Sequence, residues 1–175
     1  MADSSFQQEF LATHNTLRKK HNTPPMVLDD ELTASSQKWA DHLLAINTLQ
    51  HSTTDDGENV FTMSSSETLT LTGKEAVESW YSEIKDYDWG SPGFSGNTGH
   101  FTQVVWKDST KLGVGMATNG KKVFVVGQYR PAGNMAVKEY FEKNVLPLAG
   151  RGTNGADNAS SDKDGARKKK ICTLL

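Results

Sequence analysis

The run Val123-Phe124-Val125-Val126 constrains the fold most. It lies in a stretch, Lys122 to Arg130, that reads as a strand. A strand without polar alternation is one covered on both faces. A second strand is read over Leu112–Thr118. Between the two sits Asn119-Gly120, the dipeptide that type I′ hairpins favour. The Lys122 to Arg130 strand is therefore read as central, and the rest of the chain must cover it on both faces.

The N-terminal half has the spacing to do so. Ser5 and Gln8 are set as a capping box, and Phe6, Phe10 and Leu17, with Leu11, recur at helical intervals. This predicts a first helix running to about His21, which Pro24-Pro25 ends before an extended connector. Asp29 or Asp30 caps a second helix with a stripe of Leu32, Trp39, Leu43 and Ile46, fading near Leu49. A polar loop follows through His51, Asp55-Asp56-Gly57 and Glu58-Asn59, and a second over Ser64–Thr70. Thr72 and Glu75 start a third helix, with Val77, Trp80, Tyr81 and Ile84 inward and Glu83 about 60° from Trp80 on the rim of that face. Tyr87–Gly99 is a long Gly/Ser/Pro loop, of the kind that often carries function. Phe101–Trp106 reads as a strand, and Met135–Lys143 as a short helix. Helices first and a meander last give the α+β class.

Two segments together resemble a known family: Gly99-His100-Phe101-Thr102-Gln103-Val104-Val105-Trp106, and Val125-Val126-Gly127-Gln128-Tyr129-Arg130-Pro131-Ala132-Gly133-Asn134-Met135. In this order they resemble the two signatures of the CAP superfamily, the cysteine-rich secretory, antigen five and pathogenesis-related proteins. The similarity spans roughly Phe6 to Pro147. It implies an α-β-α sandwich with a central antiparallel sheet over residues 1–148. Gly127 stands where the second signature usually has a cysteine, and the only cysteine is Cys172. No intrachain disulfide can form, which favours a reducing compartment. The resemblance is therefore nearest to the Golgi-associated plant pathogenesis-related branch.

The resemblance also implies a cleft lined by His51, Glu58, Glu83 and His100. Two imidazoles and two carboxylates suit a borderline ion such as zinc. Two histidines fall short of the three protein ligands of a typical catalytic zinc site, so a carboxylate or water must supply the rest, and the ion would be weakly held. Without metal, a carboxylate beside an imidazole can act as a general base. On spacing alone, a plainer reading stays open. His51 could meet the last carbonyls of the second helix, Glu58 could order a loop, and Glu83 could sit in water. His14, His21 and His42 fall on helices or their ends, as surface or packing residues. No Gly-x-Ser-x-Gly, His-Glu-x-x-His or cysteine nucleophile motif accompanies the set.

The charge of −2 is unevenly spread: the body carries about −5 and the residues from Gly150 onward about +3. An acidic body argues against nucleic acid as partner, and a basic tail suits an anionic surface. Gly150–Ala166 has no large apolar residue and reads as a flexible linker within a tail over 149–175. The tail ends in Arg167-Lys168-Lys169-Lys170 and then Cys172-Thr173-Leu174-Leu175, a C-a-a-X pattern whose final Leu favours geranylgeranyl. One lipid beside a basic patch is a two-signal membrane anchor. Residue two is Ala2, not the glycine myristoylation needs, and the first twenty residues lack the apolar block of a signal peptide.

These features lead to a membrane-tethered, non-enzymatic module at the cytosolic face of Golgi or plasma membrane. Its partners would be the anionic membrane, a lipid or protein ligand in the cleft and, as in related proteins, a second copy as homodimer. The alternatives are a metal-dependent hydrolase using the four His/Glu residues, or a secreted defence or signalling protein. In the last case Asn158-Ala159-Ser160 would be a glycosylation acceptor.

Overall fold

The computed structural model describes residues 1–150 and the backbone of residues 171–174. The expected linker beyond Gly150, the acceptor at Asn158 and the basic run 167–170 lie outside the described residues. In chain order the elements are α1 (Ser4–Lys20), β1 (Val27–Leu28), α2 (Asp30–Ile46), β2 (Gly57–Ser64), α3 (Gly73–Tyr81) and a 3-10 turn (Ser82–Asp86). There follow α4 (Gly99–Val104), β3 (Lys111–Thr118), β4 (Lys122–Arg130), α5 (Lys138–Asn144) and β5 (Ile171–Leu174). The sheet runs β1-β3-β4-β2-β5. It is mixed rather than wholly antiparallel, because the connector after Pro24-Pro25 lies parallel to β3. There Val27 donates its N–H to Thr110 and Asp29 donates to Leu112.

The expected sandwich is present. Strand residues alternate between two cores. Phe124 and Val126 of β4 and Val60 of β2 meet Ala40 and Leu43 of α2 on one face. Val123, Val125 and Tyr129, with Phe61, meet Phe6, Phe10, Trp80 and Phe101 on the other. Residues Val123–Val126 are all buried, as their unbroken apolar run required.

Helix α2 buries Leu32, Ser36, Ala40 and Leu43, while Trp39 is only partly covered and Ile46 is exposed. The stripe turns toward small residues because β3 offers Gly113 and Gly115. A Cβ on either would lie 2.3–2.5 Å from atoms of Leu32, Ser36 or Gln37. The helix backbone therefore rests directly on the strand. Trp39 serves elsewhere: its indole N–H donates to the Gln50 carbonyl at 2.9 Å and pins the loop before His51.

Several local expectations are corrected. Asp3, not Ser5, caps α1, accepting from the Phe6 N–H. The caps of α2 at Asp29 and α3 at Thr72 are as expected. Of the hairpin residues only Gly120 has positive φ, so the turn is centred on Gly120-Lys121 and is not type I′, which needs positive φ at both centres. Residues 57–64 form β2, paired along its full length with β4, where only polar loops were expected around a short unread stretch.

The largest correction concerns the stretch Phe101–Trp106. It is not a strand: Gly99–Val104 is helix α4, and every residue from His100 to Trp106 is buried. A helix covered on all sides, with His100, Thr102 and Gln103 buried like Phe101 and Val104, has no stripe to read. Its ends are satisfied from afar. The Glu83 carboxylate accepts the N–H groups of His100 and Phe101 at 2.9 and 3.1 Å. At the other end the buried Arg18 guanidinium donates to the carbonyls of Val104, Trp106 and Ser109 at 2.8–3.1 Å, and its Nε donates to Pro24.

Candidate functional site

The four His/Glu residues meet at one end of the sheet. Glu58 and Asn59 are neighbours on β2 and so point to opposite faces. Glu58 lies on the α2 side, cross-strand from Gln128, and Asn59 on the side of α1 and α4. A cavity of about 300 Å³ opens between them, lined by His51, Glu58, Asn59, Phe94, Gly99, His100 and Asn134 among others.

The four form two pairs. His51 Nδ1 meets Glu58 Oε1 at 2.9 Å, and His100 Nδ1 meets Glu83 Oε2 at 2.8 Å. A carboxylate only accepts, so each Nδ1 carries a proton, and a ring in its neutral form keeps its Nε2 lone pair free. Among the described residues no hydrogen bond engages either Nε2. Of the plainer reading, Glu58 does order its loop, accepting from Ser52, but His51 faces Glu58 rather than the last carbonyls of α2, and Glu83 faces His100 rather than water alone. Glu83 lies on the 3-10 turn after α3 rather than on the helix rim, and from there it orients both the His100 ring and the start of α4.

The two pairs differ in exposure. The His51 side chain is 48% exposed, while His100 is 10% and Glu83 12%. Glu58, 4% exposed, is held at both oxygens: Ser52 donates from its N–H at 2.8 Å and its hydroxyl at 2.5 Å, and Gln128 donates at 3.0 Å. Burial alone would raise the Glu58 carboxyl, but the bonds from His51, Ser52 and Gln128 outweigh it and hold the group below its ordinary value.

Beneath the cleft runs a buried chain of hydrogen bonds that spacing did not suggest. His14 Nδ1 faces the Phe10 carbonyl at 2.8 Å, so Nδ1 is the donor and Nε2 accepts from the Tyr129 hydroxyl at 2.8 Å. That oxygen accepts from Asn59 Nδ2, which also donates to the His100 carbonyl. Burial drives the His14 pKa down to about 3, so the ring is neutral. Asn134 closes the other side, donating to the Gly99 carbonyl at 2.8 Å and accepting from Thr102 at 2.5 Å. The only hint of Asn134 in the sequence was its place in the second signature segment. Of the remaining histidines, His21 is buried against Tyr81 and His42 is exposed.

The carboxylates thus stand behind their imidazoles. Among the described residues no group of three or more His, Cys, Asp or Glu is placed to hold a metal. What the cleft offers directly is two oriented imidazoles, with Asn59 and Asn134 beside them and Phe94 at the rim. Cys172 lies apart, in β5, at the register position opposite Met63.

The family model described as CAP, cysteine-rich secretory protein family, matches residues 11–129, a span containing all four His/Glu residues. The human Golgi-associated plant pathogenesis-related protein 1 is 42% identical over 83% of this chain and 96% of its own length. The solved structure of BmVAL-1 superposes with a TM-score of 0.69 at 25% identity, over 83% of this chain and 84% of that one. The crystal structure of NaASP2 with Zn2+ gives 0.65 at 26% identity, over 81% and 87%. With its paired signatures folded around one cleft and most of its length matched, the chain belongs to the CAP family of cysteine-rich secretory proteins.

Proposed function

We propose that the protein is a membrane-tethered CAP module that binds a ligand in its His/Glu cleft at the cytosolic face of Golgi or related membranes. One observation carries the binding reading: both carboxylates are spent on orienting imidazoles, which leaves two Nε2 lone pairs at a cavity of about 300 Å³. That donor set suits zinc, whose histidine ligands commonly hand their other N–H to a carboxylate. His51 and His100 would hold the ion, Glu58 and Glu83 would fix the rings, and water or the ligand would complete the coordination. Two protein donors make such an ion weakly held and exchangeable. The Golgi address is supported by the name of the human relative. No helix among the described residues is long and apolar enough to cross a membrane. Attachment would then fall to the tail, through geranylgeranylation of Cys172 beside Arg167, Lys168, Lys169 and Lys170.

Titration calorimetry with zinc tests the cleft. Wild type should show one weak site, and His51→Ala with His100→Ala should abolish it. Zinc binding unchanged in the double variant would sink the assignment.

A hydrolase is the second reading, favoured by the Glu83–His100 pair, in which a carboxylate orients an imidazole as it would a general base. Hydrolysis of esters, peptides or phosphoesters lost in both Glu83→Gln and His100→Ala would establish it in place of the binding module.

A further inference from the structure

β2 pairs with β4 on one side over all of Gly57–Ser64, and on its other side with β5 over only half that length. The register is Phe61 with Leu174, Thr62 with Thr173, Met63 with Cys172 and Ser64 with Ile171. The body of the domain thus presents β2 as an edge, and the segment that occupies this edge contains the first three residues of the C-a-a-X tetrapeptide. Open strand edges are templates for any extended segment with free backbone groups. Ile171-Cys172-Thr173-Leu174 has the β-branched and apolar character that suits such pairing.

We propose that the β2 edge is a docking surface for this chain's own segment Ile171–Leu174, and that docking there excludes lipidation of Cys172. A lipid transferase needs this tetrapeptide free and extended in its own groove, and a backbone laddered to β2 is extended but not free. In the lipidation step the Cys172 thiolate displaces diphosphate from geranylgeranyl diphosphate, one C–S bond replacing one C–O bond. Subsequent removal of the three residues after the cysteine would delete two of the four register pairs, those of Thr62 and Phe61. The lipidated chain therefore cannot rebuild the full ladder, and the β2 edge at Phe61 and Thr62 is left open. A four-residue strand is short, but the twenty residues 151–170 tether it, and tethers of that length give effective concentrations on the order of 1 mM. Docking and release can then both be populated. The docking claim stands on the pairing alone, whereas its consequence for anchoring rests on the lipidation reading above.

Because Cys172 is the only cysteine, thiol labelling reads this segment without background. The experiment compares maleimide labelling of the full chain with that of a peptide of residues 165–175, for wild type and for Thr173→Pro, each protein set against the peptide of the same sequence. Proline removes a ladder donor and lies outside the core, so the domain itself is unaffected. Wild-type protein should label about tenfold more slowly than its peptide, and Thr173→Pro should label at its peptide's rate. In the same Pro variant hydrogen exchange should quicken at residues 61–64. Geranylgeranylation by a purified transferase, normalised in the same way, should be slower for wild type and recover in the variant. Wild-type protein labelling as fast as its peptide would overturn docking. Protection from labelling together with lipidation at the peptide's rate would overturn the exclusion. If neither peptide nor protein accepts the lipid, the anchoring reading fails, and labelling still decides whether the edge is occupied.

Discussion

Replacing Arg18 by Met removes the group that closes the C-terminal end of α4. The guanidinium is fully buried and has no carboxylate partner among the described residues; it donates to the carbonyls of Pro24, Val104, Trp106 and Ser109. Hydrogen bonds from a charged group contribute about 1.5–3 kcal/mol each. Four of them would total about 6–12 kcal/mol, but the Trp106 carbonyl keeps a second donor, the Ser109 N–H. Against this loss stands the desolvation of the cation, which lowers its pKa to about 10 from 12.5, equivalent to about 3 kcal/mol regained when the charge is removed. With three carbonyls left unpaired, the net expectation is about 2–6 kcal/mol of destabilisation, a large part of what a domain of this size has. Arg18→Lys should fall between, because one ammonium cannot span four carbonyls. Urea denaturation gives the free-energy change, and hydrogen exchange at residues 100–106 shows whether α4 loosens before the sheet. A Met variant within about 1 kcal/mol of wild type would refute the argument that α4 is held from its ends.

Tyr129→Phe should destabilise by about 1–3 kcal/mol, because it leaves buried His14 Nε2 without its donor and Asn59 without one acceptor; chemical denaturation measures it. Acid should weaken the fold. Burial holds His14 and His21 below their ordinary value, and hydrogen bonds to Arg130 hold Asp56 down. For each group the unfolded chain binds protons that the native one refuses, so stability drops as pH falls from about 6.5 toward 3. Melting temperature against pH should show this, with a shallower slope in His14→Gln. Cys172→Ser should move the protein from membranes to the cytosol on fractionation, since the basic run alone is screened by salt. A protein that still pellets fully would place the anchor elsewhere.

The elements legible in the sequence were those with a local cause. The caps at Asp29 and Thr72 act within three residues, and the β3–β4 hairpin follows from two β-rich runs flanking a glycine. The doubly covered strand could be read from Val123–Val126, whereas a helical layer on each face came from the family resemblance. The four cleft residues came from motif resemblance, since their spacing alone left the loop readings open. Strand β2 escaped because Glu58 and Asn59, polar at its start, hide a strand whose buried residues alternate between two cores. Orientation within the cleft was not legible either, because it depends on Ser52, Gln128 and Glu83 reaching their partners across the fold.

Helix α4 marks the boundary most sharply. Its sequence, rich in β-branched and aromatic residues, favours a strand, and nothing within six residues argues otherwise. What makes it a helix is a carboxylate 17 positions earlier at one end and a guanidinium 86 positions earlier at the other. Local propensity differs between helix and strand by less than about 1 kcal/mol per residue. Charged hydrogen bonds at both ends of a buried segment outweigh that difference. The sequence by itself determined which segments would be covered and which residue types would line the cleft. Only the tertiary structure decided that His100 begins a helix, with its ring held by Glu83 and Nε2 left free, because the groups that impose this are distant in the chain and meet only once the layers have packed.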